Sequence, residues 1–192
     1  MEKLNQAEQV VTLSIKASVS DLEAMESKIF AFTESIGHLA TQQDTYFNVP
    51  YGQLKLRKTY PNKEQGELIS AKSISHIPHL VETRATRIHE ASALKKTLEL
   101  CISELGTIKK KRRVYVKDNV RINLDDVEGL GVYVDVEIKK DATNDVEKQA
   151  VEVKKALGIT DDMIVTSNYL ELYRKRKSAD SGFDDETSDA SL

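Results

Sequence analysis

The sequence predicts an α+β fold in which one large antiparallel sheet closes into a β-barrel with helices packed on its outside. Three observations carry that expectation. First, Leu54-Lys55-Leu56-Arg57, Arg121-Ile122-Asn123-Leu124-Asp125 and Val132-Tyr133-Val134-Asp135-Val136-Glu137-Ile138 alternate aliphatic with polar or charged residues. Side chains of a strand alternate between its faces, so each stretch has one apolar and one ionic face. Second, the ionic faces hold both signs of charge. A one-faced sheet covered by helices would turn them to bulk water, whereas a closed barrel lines its lumen with cations and carboxylates. Third, the helical stretches each carry a single apolar stripe, suited to covering the aliphatic outside of such a barrel.

The elements follow in order. Residues 11–17 read as a first strand, with Val11, Leu13 and Ile15 on one face. Ser20 with Glu23 fits a capping box, Leu22, Met25, Ile29, Phe32 and Ile36 follow at helical spacing, and Gly37 supplies the stop. Residues 44–73 hold two or three strands, with turn signals at Pro50-Tyr51-Gly52 and Pro61-Asn62-Lys63. Residues 74–86 show no clear period. A second helix is expected over 90–105, with Leu94, Leu98, Cys101, Ile102 and Leu105 inward and Gly106 ending it. Three strands at 109–117, 121–126 and 132–140 have connections short enough for antiparallel neighbours. Asn144 with Glu147 repeats the capping-box spacing before a helix whose Val146, Ala150, Val153 and Leu157 share a stripe closed by Gly158. A short last helix near 167–175 carries Tyr169, Leu170 and Tyr173.

The 192 residues suit one domain, expected over 1–176, and 40% hydrophobic content is enough for a core. Residues 177–192 are small and acidic, the composition of a disordered tail. The whole chain carries a net charge of −3, but five acids fall in the last fifteen positions. The remaining 28 basic and 26 acidic residues leave the body at +2. Affinity for a polyanion must therefore come from local clustering. Cys101 is the only cysteine, which excludes an intrachain disulfide and suits a reducing compartment. With neither a signal-type apolar run nor a membrane-length stretch, the expectation is a cytoplasmic protein with no membrane partner.

Other motifs are weaker. The runs Lys109-Lys110-Lys111-Arg112-Arg113 and Arg174-Lys175-Arg176-Lys177 have the composition of nucleic-acid or import signals, but few aromatics accompany them, which disfavours a nucleic-acid partner. His76-Ile77-Pro78-His79 has metal-ligand spacing, yet its proline and the absence of a nearby cysteine favour a surface loop. No Ser-His-Asp arrangement or Gly-rich phosphate loop is evident.

Several stretches together resemble the CYTH family, and most of all its class IV adenylyl cyclase-like and thiamine triphosphatase-like group. They are Tyr46-Phe47-Asn48-Val49-Pro50, Gly52-Gln53-Leu54-Lys55-Leu56-Arg57, Lys110-Lys111-Arg112-Arg113, Arg121 through the Leu124-Asp125-Asp126-Val127-Glu128-Gly129-Leu130-Gly131 signature, and Asp135-Val136-Glu137. The resemblance implies a triphosphate tunnel in which lumen cations grip a triphosphate-bearing small molecule and carboxylates hold Mg²⁺ or Mn²⁺. Carried onto matching positions, it implies that Lys16, Lys55, Arg57, Lys110, Arg112 and Arg121 bind phosphate and that Asp125, Asp135 and Glu137 bind metal. Lys16, Arg121 and Asp125 are its catalytic candidates. Phosphoryl transfer needs charge neutralisation and in-line positioning more than covalent help, which suits this residue set.

The chain departs from the family pattern in its opening strand, where Thr12 and Ser14 stand in place of two Glu residues. Asp135 is one carbon shorter than the usual Glu, and Ser73 and Gln53 fall where basic residues are common. A hydroxyl is a weaker ligand for a hard cation than a carboxylate, so reduced metal affinity is expected. Three readings follow from the resemblance: a metal-dependent triphosphatase, a polyphosphate-binding protein impaired in cleavage, and a cyclase forming cyclic AMP from ATP. Val114 and Val116 also imply that even positions of their strand face outward, while family spacing turns Lys110 and Arg112 inward. A β-bulge would reconcile the two.

Overall fold

The computed structural model describes residues 8–74 and 79–181. Strands β1 (Glu8–Val19), β5 (Leu80–Ile88), β4 (Gly66–Ser73), β3 (Gln53–Tyr60), β2 (His38–Phe47), β6 (Glu104–Lys117), β7 (Val120–Val127) and β8 (Gly131–Lys139) follow one another around a closed antiparallel barrel. The seam closes by pairing β1 with β8, which sets Lys16 opposite Asp135 and Ser14 opposite Glu137. Closure leaves no free sheet edge and gives the ionic faces one shared interior.

Helices α1 (Leu22–Thr33) and α3 (Val146–Leu157) cover the aliphatic outside of β1, β7 and β8. There Ile15, Ile122, Val134 and Val136 pack against Met25, Ile29, Val153 and Leu157, all nearly or fully buried. Helix α2 (Ala91–Glu99) covers β3 through Leu56, Leu94 and Leu98. Helix α4 (Tyr169–Ser181) lies across one end of the barrel, where Tyr169 and Leu170 cluster with Tyr46, Ile108 and Val127. Arg174 donates to the carbonyl of Leu105, and Arg176 to those of Gly129 and Leu130. Half of the basic tetrad at 174–177 thus fastens α4 to the barrel rim.

The helix boundaries differ from expectation for identifiable reasons. Asp21 caps α1, its carboxylate accepting from the Ala24 amide at 3.0 Å, and Glu34 in the left-handed region ends the helix before Gly37. Asp145 likewise takes the cap of α3 from Asn144, whose side chain instead accepts from the Asp141 amide. Helix α2 ends at Glu99, so Cys101 is exposed rather than inward and Leu105 belongs to β6. Helix α4 continues to Ser181, past the expected division at 176, and residues 182–192 of the expected tail lie outside the described residues, as do His76, Ile77 and Pro78. Among the described residues no helix is long and apolar enough to cross a membrane.

The bulge expected between Arg112 and Val114 is absent. β6 and β7 pair without a shift from Lys110 opposite Val127 to Lys117 opposite Val120. From Lys110 to Val116 the even positions face inward: Val116 is 60% exposed because it stands at the open mouth, while Tyr115 packs outside beneath α1. β6 is irregular only nearer its start, where consecutive Tyr46 and Phe47 of β2 stand opposite Gly106 and Glu104 and Leu105 is the extra residue.

Candidate functional site

The barrel encloses a cavity of about 480 Å³. All six candidate phosphate-binding residues line it: Lys16 from β1, Lys55 and Arg57 from β3, Lys110 and Arg112 from β6, and Arg121 from β7. Asp135 and Glu137 of β8 line it as well. Alternation produces this arrangement, because direct partners across antiparallel strands share a face and the register sets Arg112 opposite Asp125 and Arg121 opposite Glu137.

Two buried carboxylates organise the cations. Asp44 of β2, 1% exposed, accepts two hydrogen bonds from Arg57 at 2.8 and 2.9 Å and one from Lys110 at 2.9 Å, with Lys55 3.5 Å away. Burial alone would raise its pKa, but Arg57, Lys110 and Lys55 pull it well below the usual carboxylate range. Asp125, fully buried, accepts both arms of the Arg112 fork at 2.6 and 2.5 Å. The Tyr169 hydroxyl donates to the same carboxylate at 2.7 Å. Burial would raise the Asp125 pKa, and the Arg112 guanidinium more than reverses that. These are charge-assisted, partly bidentate contacts, so both arginines are held in fixed orientations.

The lysines carry the opposite strain. Burial lowers Lys110 to about 7 and Lys55 to about 8, in each case against the attraction of Asp44. Lys16 stands 4.4 Å from the Tyr169 ring centroid and Lys110 5.3 Å from it. Among the described residues neither Lys16 nor Arg121 has an ion-pair partner; Lys16 donates to the Ser167 carbonyl and Arg121 to Asn123 Oδ1. Their charge is thus available to a ligand. Gln42 Oε1, buried beside this cluster, has no hydrogen-bond partner among the described residues.

The three candidate metal ligands do not share one environment. Asp125 lies behind Arg112 and is occupied by it and by Tyr169. Asp135 accepts from Ser14 Oγ at 3.2 Å and has Arg112 3.6 Å away, while Glu137 accepts from Asn123 Nδ2 at 3.2 Å. Among the described residues no group of three or more His, Cys, Asp or Glu side chains is arranged to hold a metal ion. Asp135 and Glu137 still fit Mg²⁺ or Mn²⁺, which use one or two carboxylates and complete the shell with water and phosphate oxygens.

Several residues of the site escaped the sequence reading. Asp44, Gln42 and Glu67, which stands opposite Arg57, carry no motif of their own, and Asn123 lies within the alternating stretch 121–125 without being singled out. The available signal was the two-residue spacing of Gln42, Asp44 and Tyr46, obscured because residues 38–43 contain too few aliphatics to announce a strand.

The CYTH domain model matches residues 14–167, and the chain belongs to that family. It is 36% identical over 77 residues to a Methanocaldococcus jannaschii protein named "putative adenylate cyclase", an alignment covering 38% of this chain and 44% of that one. The chain thus spans less than half the length of that relative. A conserved hypothetical protein of Pyrococcus furiosus superposes with a TM-score of 0.75 at 26% identity, covering 86% of this chain and 99% of that structure. A Vibrio parahaemolyticus structure described as a "putative adenylate cyclase" superposes with a TM-score of 0.68 at 16% identity, covering 87% and 99%, and shares the fold.

Proposed function

We propose that the barrel binds the triphosphate group of a small molecule and hydrolyses it with Mg²⁺ or Mn²⁺. The observation that carries this reading is the convergence of six cations from four strands on one enclosed cavity. The Arg112 and Arg57 forks, already oriented by Asp125 and Asp44, suit bidentate phosphate contact, and Lys16 and Arg121, which have no ion-pair partner among the described residues, add further charge. Asp135 and Glu137 would hold the metal, which when bound supplies neutralisation of phosphate charge and a polarised water. The low dielectric of the lumen strengthens each of these contacts relative to bulk water.

A second reading, binding without efficient cleavage, is favoured by one observation: Asp125 is engaged by Arg112 and Tyr169, and Thr12 and Ser14 offer no charge, so two carboxylates remain for a metal. Purified protein incubated with inorganic triphosphate, thiamine triphosphate and ATP, with each metal, separates the readings. Phosphate release supports the hydrolase, and tight binding without turnover supports the binding protein. Cyclic AMP from ATP would support a cyclase instead, the activity named for the Methanocaldococcus relative. Neither binding nor turnover of any triphosphate would overturn all three.

A further inference from the structure

The polarity of the barrel wall reverses on one side. On β3, β7 and β8, and at Lys110 and Arg112 of β6, charged side chains point into the lumen, and the aliphatic residues of β3, β7 and β8 that alternate with them point outward. On β4 and β5 the lumen positions beyond Glu67, which stands opposite Arg57 at the edge of this arc, are Ile69, Ala71, Val81, Thr83 and Ala85, and Val10 of β1 adjoins them. The register makes this one continuous surface: Ile69 stands opposite Ala85, Ala71 opposite Thr83, and Thr83 opposite Val10. Other charges of the same strands stand outside, where Lys72, 67% exposed, pairs with Glu82 at 2.9 Å and Gln9 bridges Glu82 and Arg84. Along this arc the barrel has an apolar inside and an ionic outside.

A bare polyphosphate is anionic on every side and gains nothing from such a wall, which beyond the negative Glu67 at its edge offers one hydroxyl and no charge. Small side chains at 71, 83 and 85 leave room in front of it. The cavity is of the size that takes a whole small organic ligand, roughly 300–1,000 Å³, and water held against an apolar wall is displaced favourably by an apolar group. Resting on the triphosphate reading above, we infer that the lumen is built for a triphosphate ester: its phosphates lie along the cationic arc, and its compact apolar or aromatic organic group lies against Ile69, Val81 and Ala85. Inorganic triphosphate would fill only half of the site.

Calorimetry on the full chain, with chelator present to prevent metal-dependent turnover, can compare inorganic triphosphate, methyl triphosphate and phenyl triphosphate. The two esters carry equal charge and differ only in the group offered to the wall. Phenyl triphosphate should bind at least about tenfold more tightly than the methyl ester. Val81→Thr, of nearly the same shape, and Thr83→Lys, which places an ammonium in the wall, should each narrow that ratio. Equal affinity for the two esters would overturn this inference and leave the triphosphate reading intact. A ratio unmoved by both variants would overturn the placement of the organic group. No binding of any of the three would overturn the triphosphate reading and the inference with it.

Discussion

Asp44 and Arg57 stand opposite each other on β2 and β3 and are joined by two hydrogen bonds, with Lys110 of β6 on the same carboxylate. The cationic wall therefore has an internal counter-ion, without which three buried positive groups would repel one another. Asp44→Asn should cost about 3–5 kcal/mol of stability in ligand-free protein, the usual effect of removing one partner from a buried pair. Inorganic triphosphate should stabilise the variant more than the wild type, because the ligand then becomes the main counter-charge. Denaturant unfolding with and without triphosphate measures both effects, and a variant as stable as wild type without ligand would contradict the assignment.

Lys110 and Lys55 make stability and binding depend on pH in opposite senses. Their folded pKa values, about 7 and about 8, lie below the ordinary lysine value. Between those values and about 10.4 the unfolded chain holds more protons than the folded one, so their contribution to stability rises with pH across that window. A polyanion favours the protonated lysines, so its affinity should fall as pH climbs above about 7. Binding of a triphosphate ester at pH 8.5 should take up between about one and two protons. Calorimetry in buffers of different ionisation enthalpy reads that number directly, and zero uptake would exclude the two lysines as ligand contacts.

The legible parts of the molecule were those where two signals agreed. β7 and β8 carried both strict alternation and an ionic face, and α3 carried a four-residue stripe, Val146, Ala150, Val153 and Leu157, that is buried along its whole length. β5 escaped because its inner face is Val81, Thr83 and Ala85 and its outer face Glu82, Arg84 and Thr86, so the contrast between faces is weak. Lys110 and Arg112 were located by family spacing although Val114 and Val116 argued against them. Local hydrophobicity misled there because a barrel mouth admits solvent to inward-facing residues. Asp44 was invisible for a different reason: a single acid gains its meaning only when strand closure brings β3 and β6 to either side of it.

The two roles open to Asp125 can be separated. In the structure it orients Arg112 and receives the Tyr169 hydroxyl, whereas Asp135 faces the cavity with one hydroxyl donor. Asp125→Asn should weaken triphosphate binding measured without metal, by about 10–100-fold for loss of a charge-assisted fork worth ~1.5–3 kcal/mol. Asp135→Asn should leave metal-free binding nearly intact and raise the Mg²⁺ or Mn²⁺ concentration needed for turnover or for metal-dependent binding. The opposite pattern would make Asp125 the metal ligand.

Ser14 is the position at which a further metal ligand is most readily introduced. Its hydroxyl lies 3.2 Å from Asp135 Oδ1, and its backbone stands opposite Glu137, so a carboxylate introduced there joins the two that line the lumen. Three like charges in one enclosed space repel, and Ser14→Glu should lower stability in metal-free protein. The same repulsion favours a divalent cation, so added Mn²⁺ should stabilise the variant more than the wild type, and apparent metal affinity should rise by about tenfold, one added carboxylate being worth ~1.4 kcal/mol. Combined with Thr12→Glu, which enters the same cavity one turn of the pleat away, the change should raise phosphate release if scarcity of metal ligands is what limits cleavage. Thermal unfolding across a Mn²⁺ titration, followed by a turnover assay, tests the two steps separately. Stronger metal binding with no gain in turnover would show that scarcity of metal ligands is not what limits cleavage.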